Sequence, residues 1–324
     1  MRSYEIRRLI ENYYDIQKIR VETFNRIVCW VRENKERLKD ALKSHFLNEP
    51  QEKIASQFLN ETQGKVASQL YKETQRKNAS QYVHETHSLI ALELLEKKKY
   101  SEFVKKFILN HKTREPPPSS AFSNLLKEIK DLIWFHNRLY ETEKELYRRI
   151  DKWSKDHPLR KEFLSKVRGI GPILASGIIA WLSEPILKAN YVSQLWSYCG
   201  LAPGQKRKRG QKANFDPRLK SFVVYRIGQS FIKFKCFGRK LYDAFRKQCE
   251  EKHKDWSKLH CHNWARRKVV KLFLASVWEV WRRMNGLPVT EPYPIEILGH
   301  KDKITPEMWI EKGEVKVIEY KIQK

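Results

Sequence analysis

Lys166 and Arg168 stand directly ahead of Gly169-Ile170-Gly171-Pro172. Glycines at this spacing can adopt positive φ and leave their backbone amides uncovered. Pro172 suits the first position of a following helix, where no N–H is needed. The small run Ala175-Ser176-Gly177 then allows a second helix to approach closely. A bare-amide turn at the positive end of a helix is an anion site. With Lys166 and Arg168 beside it, the chemistry is a grip on a nucleic-acid phosphate without any reading of bases. The plainer alternative is a buried helical hairpin whose glycines serve packing.

Further cations follow. Lys206, Arg207, Lys208, Arg209 and Lys212 make a loop too charged to be buried. Arg218 and Lys220 open a helix capped by Asp216, with Pro217 in its first position. Arg266, Arg267 and Lys268 lie on a later helix whose apolar face is Val269, Leu272, Phe273, Val277 and Trp281. Together with Lys166, Arg168, Gly169 and Gly171, these are the candidate nucleic-acid contacts. The chain of 324 residues carries 65 Lys and Arg against 38 Asp and Glu, a formal net charge of +27. Such an excess implies a polyanionic partner. DNA is the first choice and structured RNA the second.

Residues for cutting a strand are harder to find. The sequence contains no P-loop, dinucleotide fingerprint or metalloprotease motif. Cys249, His253, His260, Cys261 and His262 cluster, but at a spacing that matches no closed zinc pattern. Neither a metal nor a cofactor is expected. Glu250, Glu251 and Asp255 read as a solvated helix face. Tyr198 and Tyr225 are conceivable nucleophiles, although tyrosines at such positions commonly pack. The five cysteines are scattered and odd in number, which suits free thiols in a reducing compartment. No apolar run approaches the ~20 residues of a membrane span, and no signal-peptide core follows Met1. The expected location is cytoplasmic and nucleoid-associated, away from membranes.

The elements that must position these residues are mainly α. Ile6, Leu9, Tyr13, Ile16, Phe24, Ile27, Val31 and Leu38 predict one long helix over 1–45. Residues 46–111 hold a repeat with a period of twelve, copied from Phe46, Phe58 and Leu70, followed by a helix. Twelve residues advance a helix face by about 120°, so the repeat forms no single stripe and reads as an inserted spacer. Residues 112–121, with Pro116-Pro117-Pro118, are a linker. From Phe122 a heptad seam runs through Leu125, Ile129, Leu132, His136, Leu139, Glu143, Leu146, Ile150 and Trp153. It predicts a coiled-coil helix over 122–165 that either builds a homo-oligomer or packs on helix 1–45 of the same chain. A compact helical domain occupies 166–290, with Pro185 ending the helix that starts at Pro172. The tail, 291–324, is small and extended, with an expected strand at Val315–Ile322.

The order of motifs adds a resemblance. After the hairpin come Leu195-Trp196-Ser197-Tyr198-Cys199-Gly200-Leu201-Ala202-Pro203, the basic loop, Asn214-Phe215-Asp216-Pro217-Arg218-Leu219-Lys220, and Trp264-Ala265-Arg266-Arg267-Lys268. Residues 122–290 resemble the carboxy-terminal domain of insertion-sequence transposases of the IS-110/IS-116/IS-902 type, archaeal branch. The resemblance implies a DNA-binding helix-hairpin-helix domain preceded by a coiled coil. Such transposases also carry an amino-terminal nuclease-like domain with four acidic metal ligands. Here the chain opens on a basic helix instead. They place a nucleophilic Ser in the loop after Gly-Leu-x-Pro. Here that loop, Gln205–Lys212, has none, and Ser197 and Ser221 lie on either side of it. The resemblance therefore implies the scaffold and not the chemistry. The leading reading is a transposase-related DNA-binding protein of a mobile element or its host, catalytically incomplete on its own. A domesticated architectural protein, and an active recombinase with an unrecognised nucleophile, are the alternatives.

Overall fold

The computed structural model describes residues 2–47, 89–109, 120–205, 210–291 and 303–310. The repeat from residue 48 onward, nearly all of the expected linker, the basic residues Lys206, Arg207, Lys208 and Arg209, and the expected strand at 315–322 lie outside the described residues. Among the described residues the protein is helical and contains no strand. It divides into two compact units, residues 14–144 and residues 1–13 with 145–324.

In the unit 14–144, the expected helix over 1–45 is two helices, α1 (Ser3–Glu33) and α2 (Lys35–Leu47). The interruption falls at Asn34, whose amide side chain donates to Trp30 O (3.0 Å) and accepts from Arg37 (2.7 Å). Such local bonds compete with helix continuity. Residues 89–96 form α3, and α4 (Tyr100–Phe103) runs into a π turn at Val104–Ile108. Then come α5 (Ser120–Leu126), a 3-10 turn at Lys127–Ile129, and α6 (Lys130–Ser154). Ile27, Val31, Leu38, Leu42, Leu92, Leu95, Phe103, Phe122 and Ile129 form one core.

The polar positions of the heptad seam find partners within this unit. Glu143 accepts from Gln17 and Arg20, the His136 ring lies 6.1 Å from that of Phe24, and Arg37 pairs with Glu128. Numbers rise on one helix as they fall on the other, so the pairing is antiparallel. Ile129, His136 and Glu143 are thus covered by this chain alone. The seam helix ends at Ser154 and does not continue to 165. Pro158 biases His157 away from the helical region, and His157 sits at φ −66°, ψ 128°.

The second unit is built around α8 (Pro172–Lys188). Every residue from Ile173 to Leu182 is buried. It packs on α7 (Pro158–Glu162), α9 (Val192–Tyr198) and α13 (Lys258–Met284); α13 in turn carries the π turn at Phe222–Ile227 that follows α10 (Pro217–Ser221), together with α11 (Gly228–Lys233) and α12 (Phe237–Lys252). Small residues permit the contacts. Ser176 Oγ lies 2.6 Å from Ser154 Oγ and also donates to Pro172 O (2.8 Å). A Cβ on Gly177 would meet the Phe222 ring at 2.2 Å.

Contrary to the sequence expectation, α8 runs through Pro185 to Lys188. Proline removes a backbone donor. The missing donor would have met Trp181 O; nearby carbonyls of the same stretch receive side-chain donors, Arg7 Nε to Ala180 O (2.8 Å) and Trp281 Nε1 to Ser183 O (3.0 Å). The helix end is then closed by Arg282, only 2% exposed. Its Nη1 donates to Ile186 O, Leu187 O and Ala189 O (3.3, 3.2 and 2.9 Å), and its Nε to Pro288 O (2.9 Å). The described part of the tail is also not extended. Pro306–Trp309 is a 3-10 turn, and Trp309 packs its ring on Phe231, Phe237 and Phe273.

Replacing Arg282 by Met removes donors from four carbonyls at once, leaving Ile186 O with only Ala189 N, Ala189 O with only Trp278 Nε1, and Leu187 O and Pro288 O without the guanidinium. We expect a loss of about 3–5 kcal/mol in urea unfolding. Arg282→Lys should recover only part, because an ammonium lacks the planar fork. A loss under about 1 kcal/mol for the Met variant would show that water replaces the guanidinium there.

Candidate nucleic-acid interface

The turn before α8 exposes Gly171 at the helix N-cap. Gly169 adopts φ +101°, the left-handed region that favours glycine. Gly171 does not: at φ −81°, ψ 176° it is ordinary extended backbone, and the expectation of positive φ at both glycines is corrected. Its value lies elsewhere, because a Cβ there would meet nothing within 4 Å. The first bond of the helix runs from Ala175 N to Gly171 O (2.9 Å). The amides of Ile173 and Leu174 therefore point out of the first turn without a helical acceptor. Ser230 Oγ on α11 donates to Gly169 O and fixes the turn against the domain. The segment entering the turn is α7 followed by a 3-10 turn at Leu164–Lys166, rather than one long helix.

A second basic segment adjoins this turn. The Phe231 ring lies 3.4 Å from a Cβ built on Gly169 and 2.7 Å from one built on Gly238. The two turns therefore meet across one aromatic side chain. Arg168 and Arg239 both oppose the upward push that burial exerts on the Cys236 thiol. Lys166, Arg168, Lys233 and Lys235 are exposed around this junction. Lys166 pairs with Glu162 (3.3 Å) and Arg239 with Asp243 (2.8 Å). Lys233, Lys235 and Arg239 were not picked out as contacts from the sequence. The run Lys233-Phe234-Lys235-Cys236-Phe237 was the available signal, since its cations alternate with apolar residues.

A separate row of cations lies at the other end of the segment from Lys220 to Ser230. Lys220, Arg267, Lys268 and Lys271 have no carboxylate partner among the described residues. Three of them instead lie over rings: Lys220 over Phe215 (4.3 Å), Lys268 over Trp264 (4.1 Å) and Lys271 over Trp196 (4.3 Å). Burial depresses the ammonium pKa of Lys220 and Lys271, and the charge of Arg267 depresses both further. Burial likewise lowers Lys268, with Lys252 adding to it. Lys271 stands one helical turn after Arg267 on the same face, a spacing that could have found it.

The other named residues sort differently. Lys212 is exposed, beside a depression it lines with Tyr198, Phe215 and Asp216. Arg218 is exposed but paired with Glu11 (3.0 Å). Arg266 is 6% exposed, which corrects its assignment as a phosphate contact. Its guanidinium lies over the Tyr225 ring (4.4 Å) and donates to Asn263 (2.6 Å). Neighbouring positions on a helix point about 100° apart, so burying Arg266 is what leaves Arg267 outside.

No group of three or more His, Cys, Asp or Glu side chains is placed to hold a metal ion among the described residues. Burial raises the Tyr198 phenol pKa, with Arg7 opposing, so this hydroxyl stays protonated at neutral pH. Ser197 Oγ accepts from Gln205 (3.0 Å), which gives it no base. The Cys199 thiol is buried and pushed up to about 12, which makes it inert.

Lysines with depressed pKa bind fewer protons folded than unfolded between their folded values and about 10.4. Their penalty is full at neutral pH and fades as pH rises through that window. Arg267→Gln should therefore raise Tm at pH 7 in low salt, with the gain shrinking above about 0.5 M salt as charges are screened. An unchanged or lower Tm in low salt would remove the repulsion from this face. Against family models, curated proteins and solved structures alike, the chain has no match.

Proposed function

We propose that the protein binds nucleic acid, DNA first, by gripping its phosphate backbone, and that it does not cut strands by itself. One observation carries this reading. Lys220, Arg267, Lys268 and Lys271 crowd one face without a carboxylate partner among the described residues; burial first, and neighbouring cations second, disfavour the charge of the three lysines, which an anion would compensate. A merely solvated basic face would more commonly be laced with acids, as the ion pairs on α6 are. Exposed Gly171 and the bare first turn of α8 offer a second phosphate contact of a different kind. Backbone amides hold an oxygen by geometry, whereas the lysines hold it by charge.

The resemblance to the carboxy-terminal domain of insertion-sequence transposases points the same way. It supports a scaffold that holds DNA. A strand-transferring site needs a metal-binding acid cluster or an activated nucleophile. Tyr198 and Ser197 are poor nucleophiles for the reasons above. The protein then acts as the binding half of a recombination reaction or as an architectural factor, the two separated by whether a partner nuclease joins it.

Two measurements test the reading. Changing Lys220, Arg267, Lys268 and Lys271 together to Gln should flatten the log–log salt slope of duplex binding by roughly 3 to 4. An unchanged slope would remove this face from the interface. Gly171→Val should fold normally, since its side chain enters open space, and weaken binding about tenfold for every sequence alike. Normal binding by a normally folded Gly171→Val variant would mean that the turn touches no phosphate. A discrete nick or covalent protein–DNA adduct, formed by the protein alone with Mg²⁺ or Mn²⁺, would refute the non-cutting half.

A further inference from the structure

We propose that Cys249 and Cys261 form a disulfide that ties the end of α12 to the start of α13 when the protein meets a small-molecule disulfide. Their sulfurs lie 2.7 Å apart, and no bond joins them. That separation is inside the distance two non-bonded sulfurs keep, and about 0.7 Å beyond an S–S bond. The side chains are 0% and 1% exposed, so they have been brought together by the packing of the two helices and not by chance on a surface. The remaining cysteines lack this arrangement: among the described residues, no sulfur faces Cys29, Cys199 or Cys236 at bonding distance.

The pair encloses a turn that is itself held in shape. His253 stacks on Trp256 at 4.0 Å, and Trp256 meets His260 at 4.1 Å. Ser257 caps α13 by accepting from His260 N (3.2 Å). This geometry limits how far the two sulfurs can drift apart, which favours the internal disulfide over separate adducts. Burial, then Cys261 and Glu250, push the Cys249 thiol up to about 11, and Lys268, one of the cations of the proposed interface, pulls it down only slightly. The bond should therefore form slowly near neutral pH and faster in mild alkali.

The chemistry balances with oxidised glutathione as the oxidant. One protein thiol loses its proton, and the thiolate attacks a glutathione sulfur. This breaks the glutathione S–S bond, releases one glutathione thiolate and leaves a mixed disulfide. The second protein thiol loses its proton to solvent and attacks the protein sulfur of that mixed disulfide. The second glutathione thiolate departs. Two protein thiols have given up two electrons, and one glutathione disulfide has become two thiols.

The test uses the full chain. It is incubated with oxidised glutathione at pH 8.5 about 10 °C below its Tm, quenched in acid, unfolded, blocked with a maleimide and mapped without reductant. The expected product is a cross-linked peptide pair containing Cys249 and Cys261, two hydrogens lighter than the free peptides and lost on adding dithiothreitol. The oxidised protein should melt about 5–10 °C higher, as closure of so short a loop implies. Cys261→Ser should abolish both the cross-link and the Tm gain. Both thiols blocked by maleimide at the end of incubation, glutathione adducts on either without a cross-link, or pairing of either with another cysteine would overturn the proposal. Should Cys261→Ser fail to fold, the map of the natural protein decides alone.

Discussion

A helix buried through most of its length must still satisfy the polar groups at both its ends, and α8, buried from Ile173 to Leu182 and exposed again at Glu184, Leu187 and Lys188, is such a helix. Its buried stretch is apolar on all sides apart from Ser176, so packing fixes its place but cannot cap it. At the C-terminal end the chain supplies Arg282 from the far end of α13, a cation set where the helix dipole is negative. At the N-terminal end it supplies no counterpart. The turn through Gly169 and Gly171 instead brings that end to the surface. The same buried helix thus demands a structural arginine at one terminus and presents amides at the other.

The cations of the second unit are governed by how they are held. The buried Arg282 is surrounded by carbonyl acceptors, whereas the buried Arg266 lies over the Tyr225 ring with one bond to Asn263. On the outer face of α13 and α10 the holding groups are aromatic. A ring attracts a cation without neutralising it, so Lys220, Lys268 and Lys271 are fixed in position while their charge remains available. Fixing them in advance would also reduce the side-chain entropy lost on binding the proposed polyanion.

In the unit 14–144 the same question of buried polarity has a different answer. Glu143 and His136 interrupt an otherwise apolar seam. Glu143 is matched by Gln17 and Arg20, a pairing that only one register of α1 against α6 satisfies. Such a matched pair adds little to stability but makes sliding costly, because any shift leaves a buried carboxylate alone.

Much of this was legible in the chain itself. Helical character follows from the three- and four-residue spacing of apolar side chains. The cap at Asp216 is local chemistry, with its side chain accepting from Arg218 N (2.8 Å), and so is the proline after it. The close approach at Gly177 follows from the absence of a side chain. Properties set within one or two turns are encoded where they occur. Tertiary structure decided what depends on distant partners. The seam's antiparallel match with α1 rests on Arg20 and Glu143, far apart in sequence. The stretch of α8 around Pro185 is held by distant residues, Arg7 on Ala180 O and Trp281 on Ser183 O. Arg266 and Arg267 look alike in the chain, yet one is buried over Tyr225 and the other faces solvent. Cys249 and Cys261 read as members of a loose Cys and His cluster, and only the packing of two helices sets their sulfurs side by side. A residue's type states what it can do, but only packing determines which neighbours it can do it with.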